Sequence, residues 1–380
     1  MHDTISQFFF ASKCLKHFSI LAICSNIFLM KKETRRLVGE ISAAAIASLV
    51  AISPLVASQV LFNKFFNSRI ESYTPLWYDV SDFAGLQRTK HVFASDKGQK
   101  LTGYMYYSDA VSSQKGVIIL SHGYGGGGQR TYMDCTNYLC SHGYYVFAYD
   151  NTGNDESEGE GIIGFPQGII DLHNAINYVK GLEKYKSYPL MLFGHSWGGY
   201  STTNVLYYHP EIKAVVALSG FNQSSLLIKS HGLRYAPSSV DVLMPYVSNY
   251  EQAKFGKLTE STAMRSFEKT KAKVFIVHSK DDNVVPYESG FGVYYEKYSS
   301  DPRFTFESYN YRGHGTVYYS DEGREYTDTF QKDWKQFLKS DPSETEKQKY
   351  LSEHLDRTIW NNRLDTNLFA RIIDFYNQNL

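Results

Sequence analysis

The pentapeptide Gly194-His195-Ser196-Trp197-Gly198 matches the pattern G-x-S-x-G. A buried-strand pattern, PLMLF, stands directly before it, and GYSTT opens a helix directly after it. In so tight a strand-to-helix turn, the central serine oxygen is exposed at the top of a sheet, near a helix N-terminus. The pattern therefore predicts that Ser196 is a nucleophile. The alternative is an ordinary glycine-rich turn between a strand and a helix.

A serine hydroxyl is a weak nucleophile and needs a base within hydrogen-bonding distance. Among the twelve histidines, His314 is the late one that lies between two glycines on a loop after a predicted strand. His195 belongs to the turn itself, whereas His173 and His209 fall within helical patterns. We therefore predict that His314 is the general base.

An acidic residue that orients the base is expected in the loop after the preceding strand. That strand is predicted over VFIVH at 274–278, and the loop that follows, SKDDNVVP at 279–286, contains Asp281 and Asp282. Either carboxylate could orient His314, and the other could cap the next helix or face water. The residues alone leave both candidates open.

A glycine-rich loop, SHGYGGGG at 121–128, follows another predicted strand. Gly123, Gly125 and Gly128 fit the spacing G-x-G-x-x-G, and Asp150 ends the next strand. These are the elements of a dinucleotide-binding site. An oxidoreductase that uses a nicotinamide or flavin cofactor is therefore an alternative from a different functional class.

The same loop could instead serve acyl transfer, whose tetrahedral intermediate requires backbone N–H donors around its oxyanion. The N–H groups of Tyr124 and Trp197 are the predicted pair. The strand before the loop follows a predicted hairpin, although a dinucleotide fingerprint usually opens its domain. An oxidoreductase would also leave Ser196, Asp282 and His314 without roles. No GK[ST] follows the glycines, which excludes a nucleoside triphosphate P-loop.

Short apolar runs bounded by turn residues predict the strands that position these groups. The runs cover His91–Ala94, Leu101–Tyr107, Gly116–Leu120, Tyr144–Tyr149, Leu190–Phe193, Val215–Leu218, Val274–Val277 and Phe304–Tyr309. Helix-like spacing of apolar residues separates most of them, for example over 167–182. This alternation predicts an α/β fold with a mostly parallel sheet covered by helices on both faces.

The predicted α/β domain spans 86–340; one segment within it breaks the strand–helix alternation, and two further segments flank it. Residues 63–85 have the composition of a polar and aromatic linker. The stretch 221–271 predicts a helical cap, whose apolar residues either line a pocket above Ser196 or form the cap's own small core. Residues 341–380 predict one or two amphipathic helices, which either pack on the domain or contact a partner.

The N-terminal region contains an uncharged run, ISAAAIASLVAISPLVASQVLF at 41–62, preceded by four basic residues. Its length and this charge asymmetry predict a single membrane anchor, with the remaining domain outside the cytoplasm. The alternatives are a signal peptide cleaved after Ser58, with secretion of the rest, and a packed or mobile N-terminal helix. Residues 1–29 are interpreted as an upstream extension of the reading frame.

Charge and cysteine content exclude some classes of protein. The 39 basic residues balance the 39 acidic ones, which gives no reason to expect a nucleic-acid partner. Four cysteines, without a CxxC or Cys/His cluster, predict neither a disulfide scaffold nor a metal site. These are Cys14, Cys24, Cys135 and Cys140. The composition does not predict the oligomeric state.

Five short motifs together resemble the serine aminopeptidase and monoacylglycerol-lipase branch of the α/β-hydrolases. They are HGYGG at 122–126, DNTGNDESEG at 150–159, GHSWGG at 194–199, DDNVVP at 281–286 and GHG at 313–315. The branch pattern G-x-x-D-x-x-V-P aligns its acid on Asp282, with Ser279 in place of the glycine. In the pattern D-x-R-G-x-G-x-S, Thr152 and Asp155 replace the arginine and the second glycine.

The resemblance implies a Ser196–His314–Asp282 triad in the chain order Ser, Asp, His, and two-step acyl transfer without a cofactor or a metal. It implies a carboxylic ester as the first choice of substrate and an amide or N-terminal peptide bond as the second. A catalytically inactive, membrane-tethered binding protein is a third possibility, which the complete set of triad residues disfavours.

Overall fold

A computed structural model describes residues 32–235 and 237–380, without the side chains of 32–35, 38–39, 43–51 and 235. The chain divides into two compact units, 1–57 and 58–380. Helix α1 (Lys32–Phe66) supplies the described residues of the first unit and the start of the second. The proposed upstream extension, with Cys14 and Cys24, lies outside the described residues.

The second unit contains an eight-stranded sheet, which confirms the predicted α/β fold. Its strands are β1 (Leu86–Ala94), β2 (Lys100–Ser108), β3 (Gly116–Ser121), β4 (Tyr144–Tyr149), β5 (Leu190–His195), β6 (Ala214–Leu218), β7 (Lys273–Ser279) and β8 (Phe304–Tyr309). The spatial order is β1-β2-β4-β3-β5-β6-β7-β8. Strands β1 and β2 are antiparallel to their neighbours, and the other pairs are parallel.

Each predicted apolar run forms a strand, and the main difference lies at β1. That strand begins at Leu86 rather than His91, because Leu86 pairs with Ser108 at the far end of β2. Most residues of β1 are exposed or half-buried, so their hydrophobic alternation is weak. The start of an edge strand is therefore set by its partner more than by its own pattern.

Helices cover both faces of the sheet. Alternate residues of the central strands belong to two separate cores, as Ile118 and Leu120 do on one face and Val117 and Ile119 on the other. The helices after α1 are α2 (Met133–Ser141), α3 (Pro166–Gly181), α4 (Trp197–Asn204), α5 (Ser224–Tyr235), α6 (Val240–Phe255), α7 (Ala263–Phe267), α8 (Phe291–Tyr298), α9 (Asp321–Leu338), α10 (Glu344–His354), α11 (Arg357–Asn361) and α12 (Thr366–Asn377). Burial on both faces explains why the inner strands are almost uniformly apolar.

Helices α5, α6 and α7 form the cap between β6 and β7, where the sequence breaks its alternation. Leu227 and Val247 of the cap are buried, whereas Leu226, Leu233 and Val242 are exposed. Leu227 and Val247 belong to the apolar core on one face of the sheet, so the cap packs on the domain through them. The exposed Leu226, Leu233 and Val242 remain available for contacts with another molecule.

The segment 63–85 is packed more firmly than a linker. Leu76 and Phe83 are buried, and the Tyr78 side chain is fully enclosed. The Tyr78 hydroxyl donates to Asp134 at 2.9 Å, on helix α2. Because most of the segment is polar, its sequence did not indicate that these few apolar and aromatic residues are buried.

The predicted membrane anchor over 41–62 is not supported. In residues 32–235 and 237–380, no helix combines the length and the apolar character that crossing a bilayer requires. The run lies within α1, but it is rich in alanine and serine, which supply little apolar surface. The location of the domain outside the cytoplasm stays a prediction.

The C-terminal helices belong to the same compact unit as the sheet. Trp360, Leu368, Phe369, Ile372 and Tyr376 are almost completely buried in the core on one face of the sheet. The ring of Phe369 lies 6.2 Å from that of Phe193 on β5, the strand that leads into the turn Gly194–Gly198, called the elbow below. Of the two roles that the sequence allowed for this region, packing on the domain is therefore the one observed.

This packing predicts that Phe369→Ala lowers the free energy of unfolding by about 3–5 kcal/mol, because it leaves a cavity in the core. Chemical denaturation would measure the change. Leu338→Ala is the matched control, since Leu338 is exposed on α9. A loss for Phe369→Ala no larger than that of the control would show that the C-terminal helices do not stabilise the sheet.

Candidate active site

Ser196 stands at the turn between β5 and α4, in a backbone conformation that side chains rarely adopt. Its φ is 57° and its ψ is −117°. A Cβ atom at Gly194 would overlap the backbone of Gly198, and one at Gly198 would overlap the carbonyl of Ser121 on β3. The two glycines of the G-x-S-x-G pattern are therefore required by close approach of the backbone.

The base loop, defined as residues 310–320, places His314 against this turn. The Ser196 Oγ lies 2.8 Å from the Nε2 of His314, and the His314 Nδ1 lies 2.7 Å from an Oδ of Asp282. The Nδ1–H of His314 donates to the Asp282 carboxylate, so the other ring nitrogen, Nε2, carries no proton and can accept from the Ser196 hydroxyl. Chain segments that are 32 and 118 residues away from His314 thus meet in one line of hydrogen bonds.

The Asp282 carboxylate is buried and fully used by hydrogen bonds. Its Oδ1 accepts from the N–H groups of Val284 at 2.9 Å and Val285 at 2.8 Å. Burial by itself would raise the pKa of Asp282, but contacts with His278 and His314 outweigh it and hold that pKa well below its usual range. The carboxylate therefore remains charged beside the imidazole.

Asp281, the other candidate acid, does not contact the imidazole of His314. Its Oδ1 accepts from the Ser279 hydroxyl at 2.5 Å and from the Gly313 N–H at 2.9 Å. The Asp281 side chain thus holds the backbone of the base loop at Gly313, one residue before His314. The structure therefore brings Asp282 rather than Asp281 to the imidazole, and their roles in catalysis stay predictions.

The two predicted oxyanion donors flank the elbow. The N–H of Trp197 belongs to the first turn of α4, where a helix has no internal acceptor. The aromatic rings of Tyr124 and Trp197 lie 6.3 Å apart, edge to face. Within the part of the chain that the structure describes, neither backbone N–H has a protein acceptor. Both groups are therefore available to an oxygen of a substrate.

His122 fixes the orientation of the Tyr124 N–H. Its Nδ1 donates to the Gly123 carbonyl at 2.7 Å, and its Nε2 accepts from the Asn151 N–H at 2.9 Å. Burial lowers the pKa of His122, which favours the neutral ring. Because a trans peptide is planar, fixing the Gly123 carbonyl also fixes the Tyr124 N–H on the opposite side. No pattern in the sequence indicated this role of His122.

A second buried link, also missed from the sequence, joins the glycine loop to the base loop. The Tyr132 hydroxyl accepts from the Gly123 N–H at 3.1 Å and lies 2.7 Å from His195 Nδ1. The His195 Nε2 in turn donates to the His314 carbonyl at 3.0 Å. Burial, aided by the nearby His314, lowers the pKa of His195 to about 3, so this ring is neutral near neutral pH.

The geometry of the glycine loop disfavours the dinucleotide alternative. The Asp150 carboxylate is buried and accepts from the N–H groups of Gln129 at 2.7 Å and Glu156 at 3.2 Å. The N–H of Gly128 donates to Asp155 at 2.8 Å. The acid that would bind a ribose hydroxyl is therefore occupied by the protein backbone.

Cys135 and Cys140 are free thiols buried on α2. Burial raises the pKa of both thiols, the first well above its ordinary value. Burial therefore favours the protonated thiol at both positions. Among the described residues, no group of three or more histidine, cysteine, aspartate or glutamate side chains is placed to hold a metal ion.

The part of the chain that contains the elbow is similar to known proteins. A family model described as serine aminopeptidase, S33, matches residues 112–260. Human monoglyceride lipase is 31% identical over 118 residues, which are 30% of this chain and 36% of the lipase. Caffeoylshikimate esterase of Arabidopsis thaliana is 30% identical over 129 residues, which are 33% of this chain and 38% of the esterase.

A longer match extends over 201 residues of bovine lysophosphatidylserine lipase ABHD12, at 26% identity, and covers 50% of this chain and 47% of that one. The chain thus spans less than half the length of each of these relatives. A solved esterase of Pyrococcus furiosus superposes with a TM-score of 0.50 at 18% identity, over 69% of this chain and 94% of the esterase. The chain is thus similar to serine aminopeptidases over 112–260 and has the α/β fold of this esterase.

Proposed function

We propose that the protein is a serine hydrolase that cleaves carboxylic esters through an acyl-enzyme intermediate. The observation that carries this proposal is the line of hydrogen bonds from Ser196 through His314 to Asp282, at 2.8 Å and 2.7 Å. Ser196 is only 8% exposed, and Asp282 is buried behind His314. A line of this kind converts a weakly nucleophilic hydroxyl into a reactive one.

In the first step, the Ser196 Oγ attacks the carbonyl carbon of the ester while its proton passes to His314 Nε2. The carbonyl oxygen becomes an oxyanion, which the N–H groups of Tyr124 and Trp197 stabilise. The C–O bond to the alcohol then breaks, and the alcohol leaves with the proton from His314. Asp282 holds the imidazole in one tautomer and stabilises its cationic form.

In the second step, water attacks the acyl-enzyme. His314 takes a proton from the water, and the oxyanion forms again in the same site. The bond from the acyl carbon to Ser196 Oγ breaks, Ser196 recovers its proton from His314, and the carboxylic acid leaves. His314 accepts and returns the proton in both reaction steps, so no further acid or base is required.

The names of the relatives support an ester substrate, because the three matched proteins are two lipases and an esterase. The family description, serine aminopeptidase, favours an amide or N-terminal peptide bond as the second candidate. Both use the same nucleophile and base and differ in the leaving group. Paired p-nitrophenyl esters and p-nitroanilides with the same acyl group would distinguish them.

We expect Ser196→Ala and His314→Ala each to lower kcat by about 10⁴-fold or more, because members of a triad act as one unit. The double variant should be little worse than either single variant for the same reason. Ester hydrolysis and labelling by a fluorophosphonate probe would measure the loss. His142→Ala is the control, since His142 is exposed at the end of α2. Near-normal esterase activity in Ser196→Ala would contradict the proposed nucleophile.

Substitutions at the two adjacent aspartates should differ sharply. Asp282→Asn places an amide beside His314 Nδ1, and we expect kcat to fall by about 10⁴-fold, as in other triads. Asp281→Asn keeps an oxygen that accepts from Gly313, so its effect should be mild. The kcat values of the two variants decide the assignment, and the reverse order would move the acid to Asp281.

We also propose that the substrate carries an apolar acyl or alcohol group, which the cap receives. Phe221, where the cap begins, is buried and stacks on Tyr200 of α4 at 4.5 Å between ring centroids. The exposed Leu226, Leu233 and Val242 supply further apolar surface on α5 and α6. Apolar walls with few polar groups are typical of ligand sites.

Activity should therefore rise with acyl length before it levels off. Each buried methylene contributes about 0.8 kcal/mol, which corresponds to a several-fold gain in kcat/KM per carbon. A series of p-nitrophenyl esters from acetate to dodecanoate would measure this gain. A series that is flat or falls steadily from acetate would contradict the apolar pocket and would favour a small or peptide-like substrate.

A further inference from the structure

A short segment near the C-terminus, Arg363–Asp365, pairs with the end of the base loop. Tyr319 and Leu364 form an isolated antiparallel bridge. The Ser320 N–H donates to the Arg363 carbonyl at 2.8 Å, and the Asp365 N–H donates to the Tyr318 carbonyl at 3.0 Å. Backbone hydrogen bonds thus fasten the base loop after His314.

The same segment also fastens the base loop before His314. Arg312 Nη1 lies 2.7 Å from an Oδ of Asp365, and both side chains are mostly buried, with exposed fractions of 16% and 11%. The guanidinium of Arg312 also stacks 3.6 Å above the ring centre of Tyr309. A partly buried, charge-assisted hydrogen bond is stronger and better oriented than a surface ion pair.

The segment is itself held rigidly. The Arg363 side chain is fully buried and donates to the Trp360 carbonyl at 2.9 Å, Thr327 Oγ1 at 3.1 Å and the Tyr78 hydroxyl at 2.7 Å. Its guanidinium lies 3.5 Å from the ring centre of Trp360. Asp365 also caps α12, because its Oδ1 accepts from the N–H groups of Asn367 at 3.0 Å and Leu368 at 3.1 Å. A fixed point therefore stands on each side of His314.

We propose that Asp365, acting through Arg312, is a positioning residue that holds His314 in line between Ser196 and Asp282. The inference rests on the proposed function and extends it to the C-terminal region, which follows the last strand of the sheet. A displacement of about 1 Å at a reacting group can cost about 100-fold in rate. A loop that is tied down on both sides of the base restricts such displacement.

Truncation of the chain would not test this role, because the C-terminal helices bury core residues. Asp365→Asn is the sharper variant, since the asparagine Oδ1 still caps α12 while an amide replaces the oxygen that faces Arg312. Arg312→Gln removes the other partner. Asp356→Asn is the matched control, because Asp356 caps α11 in the same way, at 2.8 Å and 3.3 Å, and is exposed.

We expect Asp365→Asn and Arg312→Gln each to lower kcat by about 10-fold or more, and to change KM by less than about 2-fold. The double variant should be no worse than the poorer single variant, because both break the same contact. Asp356→Asn should retain the wild-type kcat. A kcat within 2-fold of wild type in Asp365→Asn, with a Tm shift equal to that of the control, would show a purely structural role and overturn the proposal.

A second measurement separates this inference from the proposed function. The proton between His314 Nδ1 and Asp282 should give a far-downfield NMR signal, which is assigned by its loss in His314→Gln. We expect that signal to broaden or vanish in Asp365→Asn and to persist in Asp356→Asn. If the wild-type protein neither hydrolyses esters nor reacts with fluorophosphonate, the proposed function fails, and this signal alone decides the positioning role. An unchanged signal in Asp365→Asn would refute it.

Discussion

The backbone at Ser196 is held in a conformation, with φ at 57°, that costs a non-glycine residue about 1–3 kcal/mol. The surrounding sheet maintains it, because the Ser196 N–H donates to the Leu218 carbonyl of β6 at 2.8 Å. On the other side, the carbonyl of Ser121 on β3 lies against Gly198. The hydroxyl therefore stands at one fixed point, and every other part of the site has to meet it there.

The imidazole of His314 reaches Ser196 from a position 118 residues further along the chain. Its loop leaves the edge strand β8, and three separate regions hold it around Ser196. Asp281 holds the loop by the Gly313 N–H, His195 holds it by the His314 carbonyl, and Asp365 holds it through Arg312. These contacts hold the backbone and leave both ring nitrogens of His314 for Ser196 and Asp282.

Two other histidines around the site, His122 and His195, make different contacts from His314, the proposed base. His122 and His195 are buried, and burial lowers the pKa of each, which favours the neutral ring. Each uses one nitrogen as a donor and the other as an acceptor, which fixes the tautomer. Their role is to orient the backbone of the glycine loop and of the base loop.

The sequence by itself determined the strands of the sheet, the elbow at Ser196 and the choice of His314, because each rests on a pattern within a few neighbouring residues. Hydrophobic runs specify buried strands locally, and the two glycines of the elbow report a close backbone approach. The sequence also indicated the cap from a break in the strand–helix alternation and the C-terminal helices from the spacing of their apolar residues. The helix over 41–62 shows the limit of such patterns, because an uncharged run of sufficient length still lacked the apolar character of a membrane span.

Only the tertiary structure decided which aspartate faces His314, since adjacent residues share one local pattern and differ in the direction of their side chains. It also decided the links of Tyr132 to His195 and of Asp365 to Arg312, whose partners are 63 and 53 residues apart in the chain. A polar side chain shows no periodicity that reveals its partner. Its role depends on which distant backbone the folded core brings within hydrogen-bonding distance.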